Sequence, residues 1–314
     1  MAEGPTANGE RNIEELIAAL DNLREGERAV VALIACGPRA VAGLRRFLIG
    51  GRPATVYQPR RWAVEALGGL NAREVLEEYL LLPPVADPEV RWAEEAVQNA
   101  AIREFLRWPD ARTADFLLDL SRKKMLVGLV EVLGQLRLPE AIPYLDRALE
   151  DDVCRSAAEE ALIGLGEAAR EHLLLSADFR LPVGRPESPS SLRRRQSALR
   201  VLAAVGIRPE EWPRLQRLVE EEDPEIAVRA CVLAAHAGIR EAAGEAVPRL
   251  VGLAPRTPWF LQDEIIECLL AWWDEARPLV EEEVERRMTA PEAERVQDRG
   301  LRLFLRAIRL APRP

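Results

Sequence analysis

The sequence predicts an all-α protein whose short helices form an array of hairpins. Along its 314 residues, apolar side chains recur at the i, i+3, i+4, i+7 spacing of one helix face, as in Ile13, Leu16, Ile17 and Leu20. No segment alternates apolar and polar residues in the way of a β-strand. Glycine or proline interrupts the pattern at intervals of roughly 12 to 20 residues, and because these residues end or open helices, we expect about 15 helices.

The first segment, residues 1–11, is polar and acidic, and we expect a flexible tail there. It lacks the basic start and apolar stretch of a signal peptide, and no apolar run approaches the roughly 18 residues of a membrane span. The cysteines are far apart and form no CxxC pair, which is typical of reduced, buried thiols in a cytoplasmic protein; they are Cys36, Cys154, Cys231 and Cys268.

Two motifs recur in the array that follows. The pattern Arg-x5-Ala-x2-Gly begins at Arg60, Arg155 and Arg229, and Arg-Trp-Ala-x-Glu-Ala occupies residues 61–66 and again 91–96. A proline-containing box, Ala-Ile-Pro-x-Leu at 141–145, returns as Ala-Val-Pro-x-Leu at 246–250. Repetition at intervals of roughly 30 to 40 residues predicts stacked hairpins, because one helical hairpin cannot bury its apolar face alone.

These motifs resemble HEAT repeats, and most closely those of the short bacterial type. The resemblance extends over roughly residues 13–290. It implies an α-solenoid, a right-handed superhelix of about seven or eight helical hairpins with the arginine-bearing second helices along its concave side. It also implies a non-enzymatic scaffold that binds another macromolecule, most simply a protein, through that surface and the inserted loops.

Two loops interrupt the array. The first, at residues 50–58, is short, and the second, at residues 176–191, is longer and contains three prolines before its closing serines. The second loop divides the predicted repeats into a first block, 12–175, and a second block, 192–310. We expect the second block to end in capping helices, the last of them over residues 292–310.

Catalytic and metal-binding patterns are not found in the sequence. The chain has only two histidines, His172 and His236, and no His-Glu dipeptide, which distinguishes it from the iron-binding HEAT hydroxylases. Phosphate-binding glycine loops and nucleophile motifs do not occur either. We therefore expect no catalytic residue, no metal, no cofactor and no enzymatic activity.

Acidic residues precede several of the repeated arginines by four positions, which leaves two interpretations open. Each arginine either pairs with an acid of the neighbouring repeat, as one step of a structural ladder, or faces a ligand. The ladder candidates are Asp87, Arg91, Asp151, Arg155, Glu225 and Arg229.

Basic and aromatic residues near the starts of second helices are the candidates for binding a partner. They could hold an acidic segment of a partner protein, or they could be solvated faces and packing residues. The candidates are Arg61, Trp62, Arg91, Trp92, Arg122, Lys123, Lys124, Arg193, Arg194 and Arg195. A formal charge of -9 and a pI near 5.2 argue against a surface that wraps nucleic acid, although a local basic face could remain.

Two other functions remain open. Trp62, Trp92, Arg61 and Arg91 are residue types that DNA-alkylation-repeat glycosylases, which resemble HEAT proteins, use to hold a damaged base. A bilin-lyase-like HEAT protein would instead bind an open-chain tetrapyrrole. Retention on duplex DNA at moderate salt would indicate the first, and a visible absorbance change on adding bilin would indicate the second.

Overall fold

The computed structural model describes residues 5–51, 54–179 and 186–312, with side chains from residue 12 onward. Helices make up 77% of the structure, and among the described residues there is no strand, which confirms the predicted all-α class. The chain divides into two compact units, residues 1–144 and 145–314. No helix in the described part of the chain has both the length and the apolar character needed to cross a membrane.

The first unit consists of helices that pack in two layers. One layer is the series α2, α4, α6 and α8, in which each helix packs against the next, and α1, α3 and α5 form the second layer. The helices are α1 (Pro5–Ala19), α2 (Gly26–Ala35), α3 (Val41–Gly50), α4 (Gln58–Gly69), α5 (Arg73–Leu80), α6 (Pro88–Glu104), α7 (Ala111–Ser121) and α8 (Val127–Gln135).

The second unit follows the same plan after α9 (Ile142–Ala148). One layer is the series α10, α12, α14 and α16, and α15 packs against α17 on the other side. The helices are α10 (Arg155–Leu165), α11 (Glu167–Ala177), α12 (Pro189–Val205), α13 (Trp212–Leu215), α14 (Pro224–His236), α15 (Ala243–Leu253), α16 (Gln262–Ala271), α17 (Trp273–Met288), α18 (Glu292–Gln297) and α19 (Arg299–Leu310).

Several boundaries differ from those predicted. Helix α1 begins at Pro5, inside the predicted tail, while residues 1–4 lie outside the described residues. The long loop is shorter than expected, because α11 continues to Ala177 and α12 starts at Pro189, and residues 180–185 of it lie outside the described residues. This loop lies within the second unit. The predicted last helix is two helices, because Asp298 stops α18 and its carboxylate caps α19 by accepting from the Leu301 N–H.

Candidate functional site

A ladder of ion pairs runs along one layer of the second unit. Arg200 of α12 contacts Glu159 of α10 at 2.7 Å and Glu225 of α14 at 2.6 Å. Arg229 of α14 then contacts the same Glu225 at 3.1 Å and Glu264 of α16 at 3.1 Å. Four successive helices of the layer are therefore joined by alternating charges, and burial raises the pKa of Glu264 although Arg229 opposes the shift.

The other predicted ladder arginines have local partners instead. Arg91 donates to the Val85 and Ala86 carbonyls, each at 3.3 Å, and Asp87 caps α6 by accepting from a backbone N–H. The ladder therefore does not pass through Arg91, which holds the loop before its own helix.

Arg155 is likewise tied to its own turn. It pairs with Asp152, three residues before it, and donates to the Leu149 carbonyl at 3.1 Å. Asp151 accepts from the N–H groups of Val153 and Cys154, each at 2.9 Å. Both acids shape the turn that opens α10, and the partners of Arg155 itself all lie in this turn, so Arg155 does not extend the ladder to a neighbouring helix.

The predicted basic stretch 193–195 is neutralised by carboxylates. Arg194 contacts Glu150 at 2.9 Å, and its guanidinium stacks 4.9 Å from the centre of the Phe179 ring. Arg193 lies 3.5 Å from Asp152. These two side chains are therefore parts of an ion-pair network, in place of the free basic patch that their sequence suggests.

Arg195 is the most deeply buried of the three. Its side chain is 5% exposed and lies between Glu187, at 2.8 Å, and Glu221, at 2.6 Å. It also donates to the Ala177 carbonyl at 3.2 Å, so it fastens the end of α11 to α12. This arginine is closed to a partner, which corrects its assignment as a binding residue.

The second basic cluster, 122–124, follows the end of α7 rather than opening a helix, since α8 starts at Val127. Arg122 is exposed and pairs with Asp119 at 2.8 Å. Lys124 turns inward, where its ammonium donates to the Leu80 carbonyl at 2.7 Å, at the C-terminal end of α5. Lys123 is exposed and makes no ion pair with any described residue.

A buried charge cluster lies beneath this segment. The Glu94 carboxylate pairs with Arg60 and accepts from the Tyr79 hydroxyl at 2.6 Å. Burial raises the pKa of Tyr79, and the Glu94 charge adds to the shift. Burial also lowers the pKa of Lys124, which Glu94 partly offsets. The cluster joins α4 to α6 in the way that the ladder joins helices of the second unit.

A pocket of about 350 Å³ opens above this cluster, and we call it the α6 pocket. Its polar lining comes from α6 and from the 122–124 segment: Arg91, Glu94, Glu95, Gln98, Lys123 and Lys124. Its apolar wall comes from the α5–α6 loop and the segment before α8: Leu81, Leu82, Pro83, Pro84, Val85, Met125 and Leu126. Three of the ten predicted partner-binding residues, Arg91, Lys123 and Lys124, therefore meet at one cavity.

The two repeated tryptophans have different environments. Trp62 is 9% exposed and packs on Gly26, the first residue of α2, so it is a core residue and not a partner anchor. Trp92 is 54% exposed, and its ring meets Tyr57 edge to face at 5.6 Å between centroids. Tyr57, just before α4, meets Trp92 where Gly26, at the start of α2, meets Trp62. The larger side chain of Tyr57 keeps the Trp92 indole at the surface.

Arg61 is exposed and lines a separate shallow depression of about 210 Å³ with Arg103 and Arg107. Arg103 and Arg107 pair with Glu131 and Glu104. Two of the three arginines of the depression are therefore paired, and none of its lining residues also lines the α6 pocket.

Sequence reasoning missed the apolar half of the α6 pocket. Leu81 is 57% exposed and Met125 37% exposed, although both are large apolar side chains. The Pro83-Pro84 pair is visible in the sequence as a break, but nothing local indicates that its loop forms a wall. The sequence signal for this apolar wall is a methionine, Met125, directly after two lysines.

Reactive groups that could support catalysis are sparse in the described part of the chain. No cluster of three or more metal-ligand side chains occurs among the described residues. His172 lies 3.5 Å from Asp146, and His236 is exposed at the end of α14. None of the four cysteines forms a disulfide, and burial raises the pKa of Cys231 to about 12.

Comparison of the chain with models of known protein families gives no match, and comparison with curated proteins gives none either.

Proposed function

We propose that the chain is a non-enzymatic helical-repeat protein of the short HEAT type that binds another protein through the α6 pocket. The observation that carries this proposal is a cavity with an exposed apolar wall beside cationic side chains. Such a cavity suits an apolar side chain of a partner segment, followed or preceded by a carboxylate. The four cysteines of the protein form no disulfide, which supports a cytoplasmic location.

The charges at the pocket favour an acidic segment. Lys123 has no ion pair among the described residues, and Arg91 uses its guanidinium only on two backbone carbonyls. Glu94 and Glu95 also line the pocket, but Glu94 is paired with Arg60, and a partner carboxylate can still reach Lys123 and Arg91, which have no acidic partner among the described residues. Such rim charges act chiefly on the association rate, so binding should weaken as salt rises.

Lys124 supports binding rather than catalysis. Its ammonium donates to the Leu80 and Leu82 carbonyls and to the Gln98 side-chain oxygen, at 2.7, 3.5 and 3.3 Å. These three acceptors occupy all three donors of an ammonium group. A lysine held in this way braces the pocket floor and leaves no free position from which to attack a substrate.

The test is retention of proteins from the source organism on immobilised wild-type chain and two variants. We expect Lys123→Glu to lower retention of a specific partner by about tenfold, because a repulsive charge replaces an attractive one at the rim. Arg28→Glu is the matched control, since Arg28 is an exposed cation of α2 that makes no ion pair with any described residue. Equal retention by wild type and both variants would overturn the proposal.

A further inference from the structure

A row of exposed arginines lies on α19, in the second unit. Four arginines of this helix, Arg299, Arg302, Arg306 and Arg309, follow each other at spacings of three and four residues and are all exposed. That spacing puts them on one helix face, and at 1.5 Å per residue the row is about 15 Å long. Leu301, Leu303, Phe304 and Ala307 are buried on the opposite side and hold the helix to the unit.

A groove of about 370 Å³ runs between this arginine row and α16. Arg299, Arg302 and Arg306 line one wall, and Trp259, just before α16, stands at the other. Trp259 is 80% exposed, and Phe260 meets it edge to face at 6.1 Å between centroids. An exposed indole next to three guanidinium groups is the composition of a site for a planar ring that carries negative charge.

The charges of the groove are largely unneutralised. Among the described residues, Arg306 pairs with Asp263, while Arg299 and Arg302 make no ion pair. This contrasts with Arg193, Arg194 and Arg195, each of which lies against a carboxylate. The net charge of -9 does not cancel the local field, since exposed charges are screened over about 10 Å at 0.1 M salt.

We infer that this groove, the α19 groove, binds single-stranded nucleic acid, with phosphates along the arginine row and a base stacked on Trp259. The inference goes beyond the protein binding proposed for the α6 pocket. The floor residues Ile266 and Leu303 are each only 3% exposed, so Trp259 is the one large apolar side chain that the groove lining presents to a ligand. Guanidinium and indole groups make up the accessible walls, and these recognise phosphate and base faces without sequence preference.

The experiment measures binding of fluorescein-labelled oligothymidylate, about 12 nucleotides long, to the full chain across a range of salt concentrations. Binding should weaken with salt, with a slope that falls by about 0.7 for each arginine contact removed. Arg302→Glu should weaken binding about tenfold or more and lower this slope. Trp259→Ala should weaken binding by about fivefold or more and leave the slope unchanged, because it removes stacking but no charge.

Arg240→Glu is the matched control, since Arg240 is exposed in the same unit and makes no ion pair with any described residue. Thermal unfolding followed by circular dichroism verifies that each variant is folded. No binding at low salt, an unchanged affinity in Arg302→Glu, or an equal loss in Arg240→Glu would overturn the inference. Tighter binding of a polyglutamate peptide of equal charge, independent of Trp259, would assign the groove to an acidic protein segment instead.

Discussion

At the residue scale, one glycine decides whether a repeated tryptophan is core or surface. Trp62 and Trp92 occupy the same place in one motif and the fifth position of their helices, α4 and α6. The first packs on Gly26, and the second is held out by Tyr57. The motif has a tryptophan at both of its occurrences, but the burial of each indole depends on a residue about 35 positions earlier, which the motif does not contain.

The first prediction concerns this contact. A Cβ at Gly26 would overlap the six-membered ring of Trp62, so Gly26→Ala forces the indole or helix α2 to shift. We expect a loss of about 1–3 kcal/mol in the free energy of unfolding, measured with urea. Gly164→Ala is the control, because Gly164 lies in α10 with open space around it, and alanine there should stabilise the helix by up to about 1 kcal/mol. Equal effects of the two substitutions would contradict the packing role of Trp62.

Helix ends show how far single residues can be predicted. Gly166 and Gly206 adopt positive φ and stop their helices, as the sequence indicates. After α4 and α8, however, the residues with positive φ are Asn71, at 54°, and Arg137, at 50°. Gly68 and Gly69 lie inside α4 instead, where a Cβ would overlap Glu104 or Ile34, and Gly134 lies inside α8. The sequence therefore predicts that a break occurs there, but not which residue makes it.

At the element scale, the ladder links helices that are neighbours in one layer but far apart in sequence. The acid-and-arginine pattern includes Glu225 and Arg229, which lie one helical turn apart and form an ion pair. The pattern does not include Arg200, because its partners Glu159 and Glu225 lie on α10 and α14, the helices on either side of α12. Spacing along one helix indicates local pairs, whereas pairing between helices depends on their packing, which one sequence does not specify.

The second prediction tests this ladder. Arg200→Ala leaves Glu159 and Glu225 without their shared cation, and both carboxylates are mostly buried. We expect a loss of about 1–2 kcal/mol in the free energy of unfolding, because hydrogen bonds to charged groups are worth more when partly buried. Arg122→Ala is the control, since Arg122 and Asp119 form an exposed pair, and its unfolding should not change measurably. If both variants unfold alike, the ladder does not stabilise the layer.

At the scale of the whole molecule, arginine supplies nearly all the positive charge, and carboxylates pair with more than half of the arginines that the structure describes. The chain has 43 lysines and arginines against 52 aspartates and glutamates, and lysine occurs only at positions 123 and 124. The α6 pocket and the α19 groove each have cations in their lining that make no ion pair with any described residue. Composition alone could not locate them, because it reports the balance of charge and not the pairs.

This charge balance makes stability depend on pH. Hydrogen bonds to the ionised carboxylate lower the pKa of several acidic side chains below its usual value. The main donor is the Thr113 N–H for Asp110 and an arginine for the others. These side chains are Glu78, Asp110, Asp152, Glu171 and Glu283. A carboxyl whose pKa is lower in the folded state than in the unfolded state favours folding when it is ionised. Its contribution is complete above the unfolded pKa and disappears as pH falls through the folded pKa.

The last prediction is that the protein loses stability at acid pH. We expect the free energy of unfolding, measured with urea from about pH 7 to pH 3, to be nearly constant down to about pH 5 and to fall below about pH 4.5. As the carboxylates become protonated, 43 basic side chains repel one another with few anions between them. Added salt, about 0.5 M, screens that repulsion and should restore part of the stability at pH 3, although it does little at pH 7. Stability that stays constant to pH 3, or that salt lowers further at pH 3, would show that the arginine–carboxylate pairs do not contribute to the fold.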